Sequence, residues 1–480
     1  VALEHAGGRL PVSRVEREAD ALAARLAAAC PGADPPCVVH RFGLLPAAVI
    51  ALHAVARAGG RVALAHPAWD DDQLATFLGA VDPDLWVAPR GAEPPGPGWA
   101  AVPDPASGTG SEASADPASP AGIDVYVRAR AEASTSHGPS GPTGGRLEPP
   151  PGTDVLLSTS GTGGAPRVVC HSWGTLATGA VAAARRNRFG PGDAWLASLA
   201  WAHVGGLAVA VRAAVGGGRV VIGPERFEPA GVAEAIERFG VTHASLVPAM
   251  LHALLERGVP APASLRCVLL GGAATPPELA RRALAAGWPV ALTYGLTEMG
   301  SQVATGEPGT TPGVAGVVGP PLDGVELSIG AAGEIEVGGP ARMLGYAGEP
   351  LAPGKRVATG DVGEIDDAGR LCVTGRRADR IVSGGTNVNP QEVEAVLVAH
   401  PAVREACVVG TPDDVWGEIV TAVIVPTLHE PEGLREWAAE RLTGARRPRR
   451  WVMVEALPRT ATGKVDRARV RARAAGDDGE

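Results

Sequence analysis

Lysine is almost missing from this chain of 480 residues: of 43 basic side chains only two, Lys355 and Lys464, are lysine. Surplus positive charge is missing too. The formal net charge is −9, which excludes a general nucleic-acid binder, because a polyanion needs a basic face. The arginines at Arg446, Arg447, Arg449 and Arg450, and again over 467–473, read as solvated surface. Closely spaced cysteine pairs are absent. Cys30, Cys37, Cys170, Cys267, Cys372 and Cys407 are scattered, which argues against a zinc site or disulfide framework and fits a reducing compartment. No apolar run is long enough for a membrane span; the stretch 44–64 is broken by His53, Arg57 and Gly59-Gly60 and reads as helix then strand. No basic segment followed by an apolar run opens the sequence, so a cytoplasmic protein without a secretory leader is expected.

What is present is enough apolar chain for a large core: 45 % of residues are hydrophobic and 20 % charged. The length exceeds that of one domain of usual size. Apolar residues recur at helical spacing over 13–30 and 46–59, and short apolar runs at 61–64 and 84–87 read as strands. Over 103–150, Ser, Gly, Pro, Ala and Thr dominate, and a disordered surface insertion is expected there. From 154 to 294 strand and helix patterns alternate, which implies helices packed on a mostly parallel sheet. After Gly319 short strands and glycine turns imply antiparallel β-structure, and the last part, about 100 residues, reads as a small α+β domain. The fold class expected is α/β: a large multi-layer N-terminal domain over 1–376, with mixed sheets, helices and a small β subdomain, followed by a small mobile α+β domain over 377–480.

Four segments carry chemistry. Ser158-Thr159-Ser160-Gly161-Thr162-Gly163-Gly164-Ala165-Pro166-Arg167 follows a strand. Its glycines let backbone N–H groups converge on an anion, the hydroxyls of Thr159, Ser160 and Thr162 add donors, and Arg167 adds charge. A surface turn is the alternative. Thr293-Tyr294-Gly295-Leu296-Thr297-Glu298 lies at the carboxyl end of a strand, where open α/β sheets bind ligands. Tyr294 offers a face to a base, Thr297 a hydroxyl to a phosphate, and Glu298 a hard oxygen to magnesium; a capped helix start is the alternative. Thr359-Gly360-Asp361 and Gly375-Arg376 place a carboxylate and a guanidinium at two loop ends, suited to ribose hydroxyls. Pro458-Arg459-Thr460-Ala461-Thr462-Gly463-Lys464 puts one of the two lysines in a glycine-flanked loop, a place for a compact, reachable ammonium.

In order and spacing, over roughly 155–467, these segments resemble the adenylate-forming superfamily of acyl-CoA synthetases, peptide-synthetase adenylation domains and luciferases. The resemblance implies that the glycine segment 158–167, with Thr159, Ser160, Gly161, Thr162, Gly163, Gly164 and Arg167, is a mobile phosphate loop, and that Gly271, Gly272, Ala273 and Ala274 line the adenine and acyl pockets. It implies Tyr294 and Gly295 at adenine, Thr297 at the α-phosphate, Glu298 on magnesium, Asp361 and Arg376 on ribose, and Lys464 at the acyl carboxylate. It also implies a hinge over 377–379, with the Ser383-Gly384-Gly385 loop bringing coenzyme A to the site after a domain rotation. The substrates implied are a small carboxylic acid, ATP and coenzyme A, with Mg2+ as cofactor; a homo-oligomer is compatible with this.

Two stretches, Trp201-Ala202-His203-Val204-Gly205-Gly206-Leu207 with Arg212, and Ser301-Gln302-Val303-Ala304-Thr305, look most like o-succinylbenzoate–CoA ligases of menaquinone biosynthesis. His203 and Gly205 then belong at the acyl pocket, with Ser301 and Gln302 near an aromatic acid; a core histidine is the alternative for His203. The sequence departs from the family pattern at Gly163, Arg167, Ala202, Ala378 and Thr386. Rival readings are an aryl- or fatty-acyl-CoA synthetase of another pathway, an adenylation enzyme loading a separate carrier, and a nucleotide-binding protein without catalysis.

Overall fold

The computed structural model describes the chain except residues 1, 32–34, 96–98, 103–122, 129–146, 160–166, 311–312, 315, 428–430, 460–464 and 477–480. Among the described residues the strands form four sheets. In the first, Val155–Thr159, Arg61–Leu64, Cys37–His40 and Leu85–Pro89 are parallel neighbours. Antiparallel strands extend it through Arg167–His171 on one side and Ile123–Arg128 on the other. In the second, Val290–Leu296, Cys267–Leu270, His243–Leu246, Ala194–Ala197, Arg219–Ile222 and Ala2–His5 run parallel. Antiparallel Ser301–Thr305 edges it beside Val290–Leu296.

Successive strand residues face opposite cores. Val38, Leu157, Trp195 and Ala197 point into a core shared by the two sheets, whereas Val39, Leu156, Ala194 and Leu196 point outward. Strands buried on both faces have no polar positions to alternate, hence their nearly continuous apolar sequences. The helix Pro46–Arg57 has nine of 12 residues buried. A helix apolar all round must be covered all round, and it lies in the shared core with Val12–Ala29 and Val204–Gly216. Pro229–Phe239, Pro248–Glu256 and Pro277–Ala285 cover the outer face of the second sheet, and Asp71–Val81 that of the first. The layered α/β architecture expected from the alternation is the one observed.

Two expectations need correction. Inside the stretch 103–150 the strand Ile123–Arg128 pairs with Leu85–Pro89; its alternating Ile123, Val125 and Val127 are masked by the Ser/Gly/Pro composition around them. Residues 103–122 and 129–146 lie outside the described residues. The arginine run 467–473 is not simply solvated surface. It forms the helix Arg467–Ala475, with Val470 and Ala474 buried and Arg467 three-quarters covered.

The third sheet is antiparallel and contains Leu371–Arg376, Val357–Ile365 and Glu334–Gly338. The fourth pairs Val403–Asp413 with Gly417–Pro426 and adds the hairpin Ile381–Ser383/Thr386–Val388 and the strand Arg450–Met453. Pro390–Val398 and Leu434–Arg441 pack on one face of it, Arg467–Ala475 on the other. Among the described residues no helix is long and apolar enough to cross a membrane.

Candidate active site

Tyr294 lies within the strand Val290–Leu296, whose second half forms a hairpin with the edge strand Ser301–Thr305. Thr297–Met299 is a single 3-10 turn at the hairpin's tip, so Thr297 does not cap an α-helix. The turn is tight. A side chain at Gly295 would run into the carbonyl of Ser301, and Ser301 itself holds φ +131°, a region glycine favours. At the end of the neighbouring strand, a Cβ on Gly271 would stand 2.7 Å from the Thr293 carbonyl oxygen, and Gly272 takes φ +78°. Ala273 and Ala274 follow at the same rim.

The structure brings the ribose candidates together. Asp361 and Arg376 are register partners on adjacent strands. Arg376 Nε donates to Asp361 Oδ1 at 2.7 Å, and the Tyr294 hydroxyl donates to Oδ2 at 2.7 Å. Burial, then the charge of Asp361, pushes the Tyr294 phenol well above its ordinary range, so it remains a donor. Tyr294 is therefore tied at its tip.

A second chain of contacts runs from the glycine loop to the turn. Thr159 and Arg167 face each other where the loop's two strands meet. The Arg167 guanidinium sits 3.3 Å over the Tyr346 ring and pairs with Glu349 at 2.6 Å. The Tyr346 hydroxyl donates to Glu298 Oε1 at 2.9 Å. His171, at the end of the returning strand, contacts the Thr297 carbonyl through Nε2 at 2.7 Å. Burial depresses its pKa to about 4, so the ring is neutral and donates that bond, holding the turn. Sequence reasoning missed His171 and Tyr346; their distance in the chain from Thr297 and Glu298 gave no local signal. Ser160, Gly161, Thr162, Gly163 and Gly164, and also Lys464, lie outside the described residues.

The acyl-side residues form separate groups. His203 precedes the helix Val204–Gly216, and its ring lies 4.9 Å from that of His66. Gly205 packs against Leu199, and Gly206 approaches the Ala200 carbonyl too closely for any side chain. Gln302 is buried with both ends of its amide engaged. Oε1 accepts from Arg212 at 3.0 Å and Asn187 at 3.3 Å, and Nε2 donates to Thr305 at 2.7 Å. Gln302 thus holds Arg212 in place.

Arg212 is 1 % exposed and lies 4.2 Å over the Trp195 ring. Among the described residues its polar partner is the Gln302 amide and no carboxylate pairs with it, and its Nε is buried without a hydrogen bond. Burial pulls its pKa down to about 9, which leaves it charged near neutrality. A buried cation without a counter-charge is costly, and an anionic ligand would relieve that cost.

In the fourth sheet, Gly384 and Gly385 take φ +55° and +77° as the two-residue turn of a hairpin. Ser383 before them is 1 % exposed, and the Gly384 N–H donates to the Trp416 carbonyl at 2.9 Å. Arg449 lies 4.0 Å over the Trp416 ring. A cavity of about 320 Å3 separates this region from the third sheet, lined by Arg376, Arg380, Asn387, Asn389 and Arg446 among others.

A layered α/β domain followed by a small α+β unit is the architecture of the adenylate-forming enzymes. The chain belongs to the AMP-binding enzyme family: residues 1–347 match the AMP-binding enzyme model and residues 392–464 its C-terminal domain. It is 37 % identical over 336 residues to the 2-succinylbenzoate–CoA ligase of Bacillus subtilis, covering 66 % of this chain and 68 % of that one. The 2-succinylbenzoate–CoA ligase of Bacillus pumilus is 36 % identical over 341 residues, covering 68 % and 70 %. The structure of o-succinylbenzoate CoA synthetase from Bacillus subtilis with its acyl-adenylate intermediate superposes with a TM-score of 0.81 at 28 % identity, covering 98 % of this chain and 95 % of that one. The same enzyme with ATP and magnesium gives 0.80 at 27 % identity, covering 97 % and 95 %.

Proposed function

We propose that this enzyme joins 2-succinylbenzoate to coenzyme A, using ATP and passing through an acyl-adenylate, as in menaquinone biosynthesis. The observation that carries the acid assignment is Arg212. The acid has two carboxylates; one reacts, and the other must be neutralised inside the protein. A buried guanidinium with no carboxylate of its own suits that need, and the B. subtilis and B. pumilus relatives bear the name of this activity.

In the first half-reaction a carboxylate oxygen attacks the α-phosphorus of ATP, the bond to the bridging oxygen breaks, and pyrophosphate leaves. No protein nucleophile is required; stabilisation of charge and positioning are. Tyr294 receives the adenine, Asp361 and Arg376 the ribose, Thr297 the α-phosphate, and Thr159 and Arg167 flank the phosphate loop. Lys464 offsets charge on the acid and phosphate. Glu298 suits Mg2+: one oxygen is held by Tyr346 and the other is left for a hard cation. Among the described residues no group of three or more His, Cys, Asp or Glu gathers into a cage, which fits a metal bound by one carboxylate and substrate phosphates. When bound, Mg2+ supplies charge neutralisation at the phosphates.

In the second half-reaction the thiol of coenzyme A attacks the adenylate's carbonyl carbon, the carbonyl–phosphate bond breaks, and AMP leaves. The division into 1–376 and 377–480, with rotation about 377–379, exchanges Lys464 for the Ser383-Gly384-Gly385 turn. The Arg449–Trp416 pair beside that turn offers a cation and an aromatic face to a nucleotide. The enzyme works in the cytoplasm, in keeping with six free cysteines. Pyrophosphate release with 2-succinylbenzoate, ATP and coenzyme A tests the reading. Release only with fatty acids, or none with any acid, would sink it. Lys464→Ala is expected to abolish adenylation while sparing thioester formation from supplied adenylate; equal loss of both would refute the role of Lys464.

A further inference from the structure

The turn Arg377–Asp379 is anchored by charge on both sides. Just before it Arg376 is bound to Asp361, and at its first residue Arg377 Nη1 meets Glu334 Oε2 at 3.1 Å. The other oxygen of Glu334 accepts from the Gly360 N–H at 3.1 Å. Both carboxylates belong to the third sheet. At its last residue, Asp379 pairs with Arg467 Nε at 3.3 Å. Ala378, between the two anchors, is exposed and carries no polar side chain.

Arg467 joins four elements. Besides Asp379, its Nη2 pairs with Glu394 at 2.8 Å on the helix Pro390–Val398. Its Nη1 donates to the Val408 carbonyl at 2.8 Å on the strand Val403–Asp413. It is also the first residue of the helix Arg467–Ala475, three residues beyond Lys464. The loop that carries Lys464 is closed at its stem by the Arg459–Val465 bridge and by the Asp466 N–H donating to the Pro458 carbonyl at 2.8 Å. Burial opposes the charge on Arg467, but the carboxylates of Glu394 and Asp379 more than restore it. The guanidinium is therefore a fixed cation.

We propose that Arg467 is a positioning residue of the ligase, fastening the small domain to the downstream end of the hinge through Asp379. The swing is then confined to Arg377 and Ala378, and both the Lys464 loop and the Ser383–Gly385 turn reach the site in register. This rests on the two-half-reaction reading above. A hinge transmits a defined rotation only if each body is rigidly attached to it. Slack at one attachment spreads the orientations of everything that body carries, and a misplacement of about 1 Å can cost up to about 100-fold in rate.

Asp379→Asn separates this role from simple stability, because it releases the hinge and leaves the Arg467–Glu394 pair intact. The expected result is a fall of about tenfold or more in kcat for both half-reactions, with KM for ATP within about twofold. The two assays are ATP–pyrophosphate exchange and thioester formation from supplied acyl-adenylate. Asp379→Glu should recover most of the rate. Trypsin should cleave the variant at Arg377 or Arg380 faster than the parent protein, without substrates present. Unchanged rates, loss in one half-reaction only, or loss that tracks the melting temperature and is not recovered by Glu would overturn the proposal. The trypsin measurement needs no turnover. If no acid is activated and the functional reading falls, unchanged cleavage still refutes the attachment and faster cleavage still upholds it.

Discussion

Arg212, which is buried, and Arg467, which is three-quarters covered, are surrounded in opposite ways. Arg467 meets two carboxylates and a carbonyl, and its charge is reinforced. Arg212 meets an amide oxygen and the face of a tryptophan, and burial weakens its charge. Taking a guanidinium out of water costs several kcal/mol when it is complete, as at Arg212, and less where a quarter stays exposed, as at Arg467. The protein itself offsets that cost at Arg467, which is the mark of scaffold. At Arg212 no carboxylate of the described chain offsets it, as expected of a place kept for an anion.

The largest effect should come from breaking the scaffold. Arg467→Met leaves Glu394 covered and charged, or forces a proton onto it, since burial already raises its pKa. A stability loss of about 3–5 kcal/mol in denaturant unfolding is expected, smaller when Glu394→Gln accompanies it. No loss would erase the distinction between the two arginines.

Arg212→Met should do the reverse. The fold is kept, while kcat/KM for 2-succinylbenzoate falls on the order of 100-fold, the scale of losing one partner of a desolvated charge pair. An acid with a single carboxylate should be affected far less. Equal loss for both acids would mean that Arg212 supports the fold rather than the substrate.

Buried imidazoles sharpen the contrast, because they can shed their charge. Burial lowers His40 and His171 to about 4 from 6.5. Below the unfolded value the unfolded chain takes up a proton that the folded chain refuses. The stability these residues hold is thus full above about pH 6.5 and is lost as the pH falls towards 4. The loss should reach about 2 kcal/mol per histidine by pH 5. Urea unfolding from pH 7.5 to 5 would measure it, and His40→Gln should flatten the slope; a slope unchanged by that substitution would count against His40.

The smallest effect is expected at Tyr346. Tyr346→Phe removes one hydrogen bond to Glu298, worth about 1 kcal/mol. It should raise the Mg2+ concentration for half-maximal turnover by about fivefold; a loss of activity at saturating Mg2+ would give Tyr346 a larger part.

Much of the layered fold was legible because its signals are local. The alternation expected over 154–294 is present, for example as the helix Pro229–Phe239 followed by the strand His243–Leu246. Less local features escaped. Ala2–His5 is a strand because Arg219–Ile222 pairs with it from the far end of the domain. Ile123–Arg128 is one because Leu85–Pro89 offers it an edge. In the site, Tyr294, Asp361 and Arg376 were named from their motifs and do meet, whereas His171 and Tyr346 belong to no motif and were found only where the chain brought them.

The sequence by itself determined the layer pattern, the order of the four chemical segments and the isolation of Lys464, because periodicity and residue type act over a few positions. The tertiary structure alone decided which arginine is paired. Glu394 lies 73 residues from Arg467 and Gln302 lies 90 from Arg212. Whether a guanidinium finds a carboxylate at such range depends on how strands and helices route the chain, and the arginines themselves carry no mark of it.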